Sequence, residues 1–194
     1  MGRKPLFKHE EFIDAAIQLI AEKGLGRLTI AALSERTGAP IGSVYHRFPS
    51  RDVLMAELWL KIIESFQNDF LRLLAEDGLK ATLFGLEWVR AHPHEARVLL
   101  LYRREDLTGG EWPRDLQNRA RRLSDEMDEG IRLFTKKMFG RVTRELIDRV
   151  LFVISDAPIG IFRRYLQYNI VPPESVGELL RETYNAIMEK TRKH

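Results

Sequence analysis

An all-α fold, a three-helix N-terminal head followed by a six-helix bundle, is predicted for this 194-residue chain by three observations. Apolar residues recur with a helical period along nearly the whole length. Alternating β-branched segments bounded by turn signals do not occur. Glycine, proline and cap-forming residues divide the periodic stretches into segments of helical length.

The first helix is predicted over His9–Lys23, where Phe12, Ala15, Ala16, Leu19 and Ile20 share one face. Glu10, Glu11 and Asp14 place negative charge near its N-terminus, where the helix dipole favours it, and Gly24 ends it. Thr29 is the expected N-cap of a second helix that carries Ile30 and Leu33 inward and stops at Gly38. A short third helix spans Pro40–Arg47, with proline suited to the first turn and Val44 and Phe48 as the inward pair. Pro49 closes it. Ser50 then caps a long helix from Arg51 to Ala75, along which Leu54, Leu58, Ile62, Phe66 and Phe70 repeat every fourth residue.

Five further helices are predicted at Leu79–Ala91, Pro93–Arg104, Pro113–Phe139, Thr143–Tyr168 and Pro173–Arg192. Pro158 lies inside the fourth of these and predicts a kink, because its ring removes one backbone bond and clashes a turn earlier. The expected division is a head of residues 1–51 and a body of residues 52–194.

Composition narrows the class. With 44% hydrophobic and 30% charged residues the chain is too apolar for a disordered protein. The absence of cysteine excludes disulfides and thiolate metal sites. No apolar run approaches the length of a membrane span, and basic Met1–Pro5 leads into no hydrophobic stretch, so no membrane partner is expected and the cytoplasm is the expected location. Residues 1–51 hold eight Lys/Arg against five Asp/Glu, and the remainder is balanced, so the entire net charge of +3 sits on the head. A basic head on a neutral body suits a polyanion-binding module.

Two helices joined at a glycine, the second short and edged by polar side chains, have the geometry of a helix-turn-helix. Ser34 is small where the helices cross and Gly38 makes the turn. Ile41, Gly42, Ser43, Tyr45, His46 and Arg47 are left to face a groove. Gly42 inside a helix costs about 1 kcal/mol relative to alanine, and close approach to DNA is a reason to keep it. Neither paired carboxylates near a nucleophile nor a phosphate loop is present, so an enzyme is not expected. His92-Pro93-His94-Glu95 lacks a third ligand, so no metal or cofactor is expected either. A helical adaptor binding protein through the basic head is the remaining alternative.

The run from Leu28 to Leu54 resembles the signature of the TetR family of bacterial transcriptional regulators. The Gly38 turn, Gly42-Ser43-Val44-Tyr45, Phe48-Pro49-Ser50 and Val53-Leu54 all fall in register, as do the preceding Ala15-Ala16, Leu19-Ile20 and Glu22-Lys23-Gly24. The resemblance implies that Thr29, Tyr45 and His46 bond to phosphates while Ile41, Gly42 and Ser43 lie nearest the base edges. It places Arg51 and the start of the long helix beside the DNA backbone, and makes Arg3 and Lys4 a minor-groove arm. Pro40 departs from the usual serine or threonine, Thr37 from the usual alanine, and Ala31-Ala32 give the second helix no long polar side chains. Base reading is therefore expected from the third helix alone, with Arg47 its one strong hydrogen-bonding reader.

The same resemblance implies a homodimer joined through the last two helices, on a near-palindromic operator with half-sites about 34 Å apart. It further implies a repressor released by a small-molecule inducer, for which Phe66, Trp88, Tyr102, Phe134 and Phe162 are the candidate pocket residues.

Overall fold

The computed structural model describes residues 8–192, and Arg3 and Lys4 lie outside them. The fold is all-helical, as expected. Helix α1 spans His9–Lys23, α2 Ile30–Thr37, α3 Ile41–Arg47, α4 Arg51–Glu76, α5 Gly78–Ala91 and α6 Pro93–Leu101. They are followed by α7 Arg104–Thr108, α8 Arg114–Phe139, α9 Arg144–Leu151, α10 Ala157–Leu166 and α11 Val176–Arg192.

Local chemistry sets most boundaries. The side chains of Thr29, Ser50, Asp77 and Thr143 each accept a hydrogen bond from a first-turn N–H of the helix they precede. Gly38 and Gly140 end α2 and α8 in the left-handed region, at φ 67° and 70°.

The last helix opens at Val176 instead of Pro173, and two other segments depart further from expectation. The helix begun at Pro93 stops at Leu101 instead of Arg104, because Tyr102 turns extended and its phenol bonds to the backbone of Leu25. A separate short helix, α7, follows, with the Asp106 carboxylate accepting from the N–H of Arg103. Where Pro158 predicts a kink, the helix is resolved into α9, a π-helical turn at Phe152–Asp156 and α10. The N–H of Ala157 bonds to the carbonyl of Phe152, five residues back, so the wider turn sits immediately before the proline.

Helix α4 is the axis of the body, flanked by α5 and α8, while α1 packs on α2, α4 and α6. One buried cluster runs from Phe12, Leu33 and Phe48 in the head, through Leu54 and Leu58, into Trp88, Leu100 and Phe162 of the body. The position-51 boundary therefore has continuous core on both sides. A second cluster, with Phe70, Leu74, Ile131, Phe134, Tyr184 and Met188, fills the far end. Phe66 and Phe84 touch both clusters and mark the seam between them.

Much of the segment 144–166 is buried within the chain. Val150, Val153, Phe162 and Leu166 are all buried, because α10 and the π turn pack on α5, α6 and α11. Phe152 and, on α11, Leu179 stay exposed. Among the described residues no helix is long and apolar enough to cross a membrane.

Candidate functional site

The α2–α3 turn is held by residues between Leu33 and Ala39. Gly38 takes the left-handed conformation and the Ser34 hydroxyl donates to the carbonyl of Ala39 at 2.6 Å. Thr37 donates to the carbonyl of Leu33 at 2.8 Å and accepts from the N–H of Ala39 at 3.4 Å. The threonine, a departure from the usual alanine, thus closes the turn. Leu33, Val44 and Phe48 are fully buried, and the Phe48 ring meets Phe12 edge-on at 6.2 Å between centroids. This packing fixes the orientation of α3.

The outer face of α3 is then determined. Ile41 is 49% and Tyr45 53% exposed, high for side chains of their apolar area. Gly42 and His46 are also exposed, and a Cβ at Gly42 would meet nothing within 4 Å. Ser43 is half-buried. Pro40 precedes the helix as its cap residue instead of opening the first turn, and it supplies no side-chain cap.

Arg47 is placed differently from the other five. Its guanidinium lies over the Phe12 ring, 5.3 Å from the centroid, and Nη1 donates to the carbonyl of Ser43 at 3.2 Å. It braces α3 against α1 from the last position of the helix, its stem half-buried. Arg51 likewise reaches back, Nε donating to the carbonyl of Leu28 at 3.1 Å and Nη2 to that of Leu25 at 3.2 Å. It joins the start of α4 to the loop ahead of α2. Thr29 is exposed, and its hydroxyl oxygen accepts from the N–H of Ala32 at 3.0 Å.

Within the head, α1 and α2 are tied by a bidentate pair between Arg36 and Glu22, both oxygens at 2.7 Å. That bond holds the Glu22 carboxyl below the usual glutamate range and raises the Arg36 guanidinium.

A cavity of about 330 Å³ opens at the seam of the two core clusters, walled by α4, α5, α6, α8 and the segment 151–162. Of the five aromatic residues expected there, Phe66, Trp88 and Phe162 line it. Tyr102 does not, because its hydroxyl is engaged by Leu25 at the junction with the head. Phe134 does not either. It lies in the far cluster, against Gly78 and Tyr184. Asp128 and Ser155, which the apolar stripes do not disclose, bring the wall a carboxylate and a hydroxyl. The Trp88 indole N–H is buried and has no hydrogen-bond partner among the described residues.

Residues 12–58 match the family profile described as bacterial regulatory proteins, tetR family. No curated protein sequence matches the chain. Among solved structures, the fatty acid degradation regulator FadR of Bacillus halodurans superposes with a TM-score of 0.67 at 16% identity, covering 98% of this chain and 99% of its own. FadR of Bacillus subtilis, solved in complex with stearoyl-CoA, gives 0.66 at 13% identity, covering 93% and 98%. A TetR family transcription regulator from Marinobacter aquaeolei VT8 gives 0.63 at 13%, covering 93% of each chain. These neighbours are regulators, not enzymes. The head of this chain belongs to the tetR family of bacterial regulatory proteins, and the whole chain folds as those proteins do.

Proposed function

We propose that the protein is a ligand-responsive transcriptional repressor, cytoplasmic, binding a near-palindromic operator as a homodimer and released when a small molecule enters the body. The single observation that carries the reading is the outer face of α3. It presents Ile41, Gly42, Tyr45 and His46 to solvent on a helix fixed by a buried core. Residues 1–51 act as the DNA-binding part, residues 52–194 as the ligand-binding and dimerisation part. Ile41, Gly42 and Ser43 meet base edges. Thr29, Tyr45 and His46 hold phosphates. Arg47 and Arg51 contribute by bracing the head and by placing positive charge at its edge.

The ligand site is the cavity between the core clusters, lined by Phe66, Trp88 and Phe162. The stearoyl-CoA held by the Bacillus subtilis neighbour supports the reading that a body of this fold accommodates a ligand with an apolar chain. Exposed Phe152 and Leu179 support a partner subunit against the last helices.

The test is binding to the DNA upstream of the protein's own gene, followed by fluorescence anisotropy over a range of salt. Affinity should fall steeply with salt, in proportion to the phosphates neutralised. Tyr45→Ala should weaken binding to every sequence, and Ser43→Ala or Ile41→Ala should change preference among sequences. Equal losses on specific and random DNA for all three variants would count against the reading.

A further inference from the structure

The cavity of the body has no place for a charge. All but two of its lining residues are apolar or glycine. The exceptions are Asp128, which is exposed, and Ser155, which is half-buried. The exposed carboxylate marks the side on which the cavity opens, and its charge stays in water. Among the described residues no lysine, arginine or histidine lines the space. The Trp88 indole nitrogen is sealed beneath the surface of the wall and offers nothing to a guest. A charged group that leaves water for such a lining loses its hydration and meets no counter-ion, at a cost far above that of burying a hydroxyl. An apolar guest meets the opposite balance, because the surface that it and the walls remove from water stabilises the complex. Size is set as well. An apolar cavity of about 150 Å³ holds one benzene ring, so about 330 Å³ holds roughly two. Phe66 stacks on Phe70 at 5.0 Å and meets Trp88 edge-on at 5.3 Å, so three rings of the wall brace one another.

We propose that this cavity selects uncharged, apolar molecules about the size of two aromatic rings, and that it rejects cations and anions of the same skeleton alike. The inference rests on the reading of the cavity as a ligand site. The selection belongs to the walls as a whole, through the desolvation they impose, and not to the carboxylate at the opening.

Isothermal titration of the full-length protein with three probes on one skeleton tests this: 4-biphenylmethanol, 4-phenylbenzylamine as its ammonium, and biphenyl-4-carboxylate. At neutral pH the alcohol should bind at least about tenfold more tightly than either ion, with the negative heat-capacity change of apolar burial. Asp128→Asn should leave both preferences in place. Either ion binding as tightly as the alcohol overturns the inference while leaving the cavity as a ligand site. A carboxylate that draws level with the alcohol in Asp128→Asn overturns it too, because the exclusion then belongs to the opening and not to the walls. Gly85→Leu fills the cavity and should abolish binding of the alcohol. If circular dichroism shows that variant unfolded, Ile159→Trp narrows the same space from a half-buried position. Alcohol binding that is absent from the unaltered protein, or unchanged in the folded cavity-filling variant, overturns the ligand-site reading itself.

Discussion

The phenolic oxygen of Tyr102, at the end of α6, accepts a hydrogen bond at 3.2 Å from the N–H of Leu25, in the loop that leads into the DNA-facing helices. The carbonyl of the same Leu25 is held by Arg51 at the start of α4. Leu99 and Leu100, just ahead of Tyr102, line the cavity. Leu25 is therefore gripped from two sides, by the first residue of α4 and by the residue that ends α6. Tyr102→Phe should lower stability by about 1 kcal/mol, read by urea denaturation. It should also shrink the ratio of operator affinities measured without and with a cavity ligand. An unchanged ratio would remove Tyr102 from the coupling between the two sites.

Arg97 makes a second connection. Nε donates to the carbonyl of Ala21 at 3.2 Å and Nη1 to that of Leu166 at 2.6 Å, so one guanidinium serves the C-terminal ends of α1 and α10. Arg97→Met keeps the stem but strands both carbonyls. A loss of about 2 kcal/mol in chemical denaturation is expected, and Arg97→Lys should recover only part of it because a single ammonium lacks the fork.

Two glycines make opposite predictions. A Cβ at Gly42 enters open space, so Gly42→Ala should raise stability by up to about 1 kcal/mol through helix propensity. The same substitution should weaken operator binding, separating recognition from folding. At Gly78 a Cβ would overlap both the Phe134 ring and the Tyr184 hydroxyl. Gly78→Ala should therefore destabilise by about 1–3 kcal/mol, read as a lowered Tm, with operator affinity of the folded protein unchanged.

The Glu22–Arg36 pair predicts a small acid sensitivity of the α1–α2 contact. The folded-state carboxyl lies below its ordinary value, chiefly through the bond from Arg36, so its contribution is present at neutral pH and is lost as pH falls through that lowered value. Carboxyl-detected NMR titration should place Glu22 below an ordinary glutamate, and Arg36→Met should return it to the usual range. The effect on overall stability should be slight, as for other exposed pairs.

Helix existence and most helix ends were legible because their causes are local. Apolar spacing, Thr29, Ser50 and Thr143 as caps, and Gly38 as a stop each act within a few residues. The break after Leu101 was not legible, since Tyr102 leaves the helix for a partner 77 residues earlier in the chain. That the Arg47 guanidinium lies over a ring was not legible, because that ring, Phe12, belongs to another helix. Phe66 and Phe134 sit on similar apolar stripes, and only the placement of the seam between the two clusters puts one at the cavity and the other away from it. Asp128 carries no signature at all in the sequence. Its position is a product of how α8 lies across the body.

The π turn at Phe152–Asp156 has a consequence for length variation. In a plain α-helix, removing one residue turns everything downstream by about 100° and would carry Ile159 and Phe162 off the cavity wall. A π turn already holds one residue more than the α-helical path requires. A single deletion within it can close the turn to α-helix and leave the faces of α10 where they are. This stretch of the wall is where the chain can shorten by one and keep its binding surface in phase.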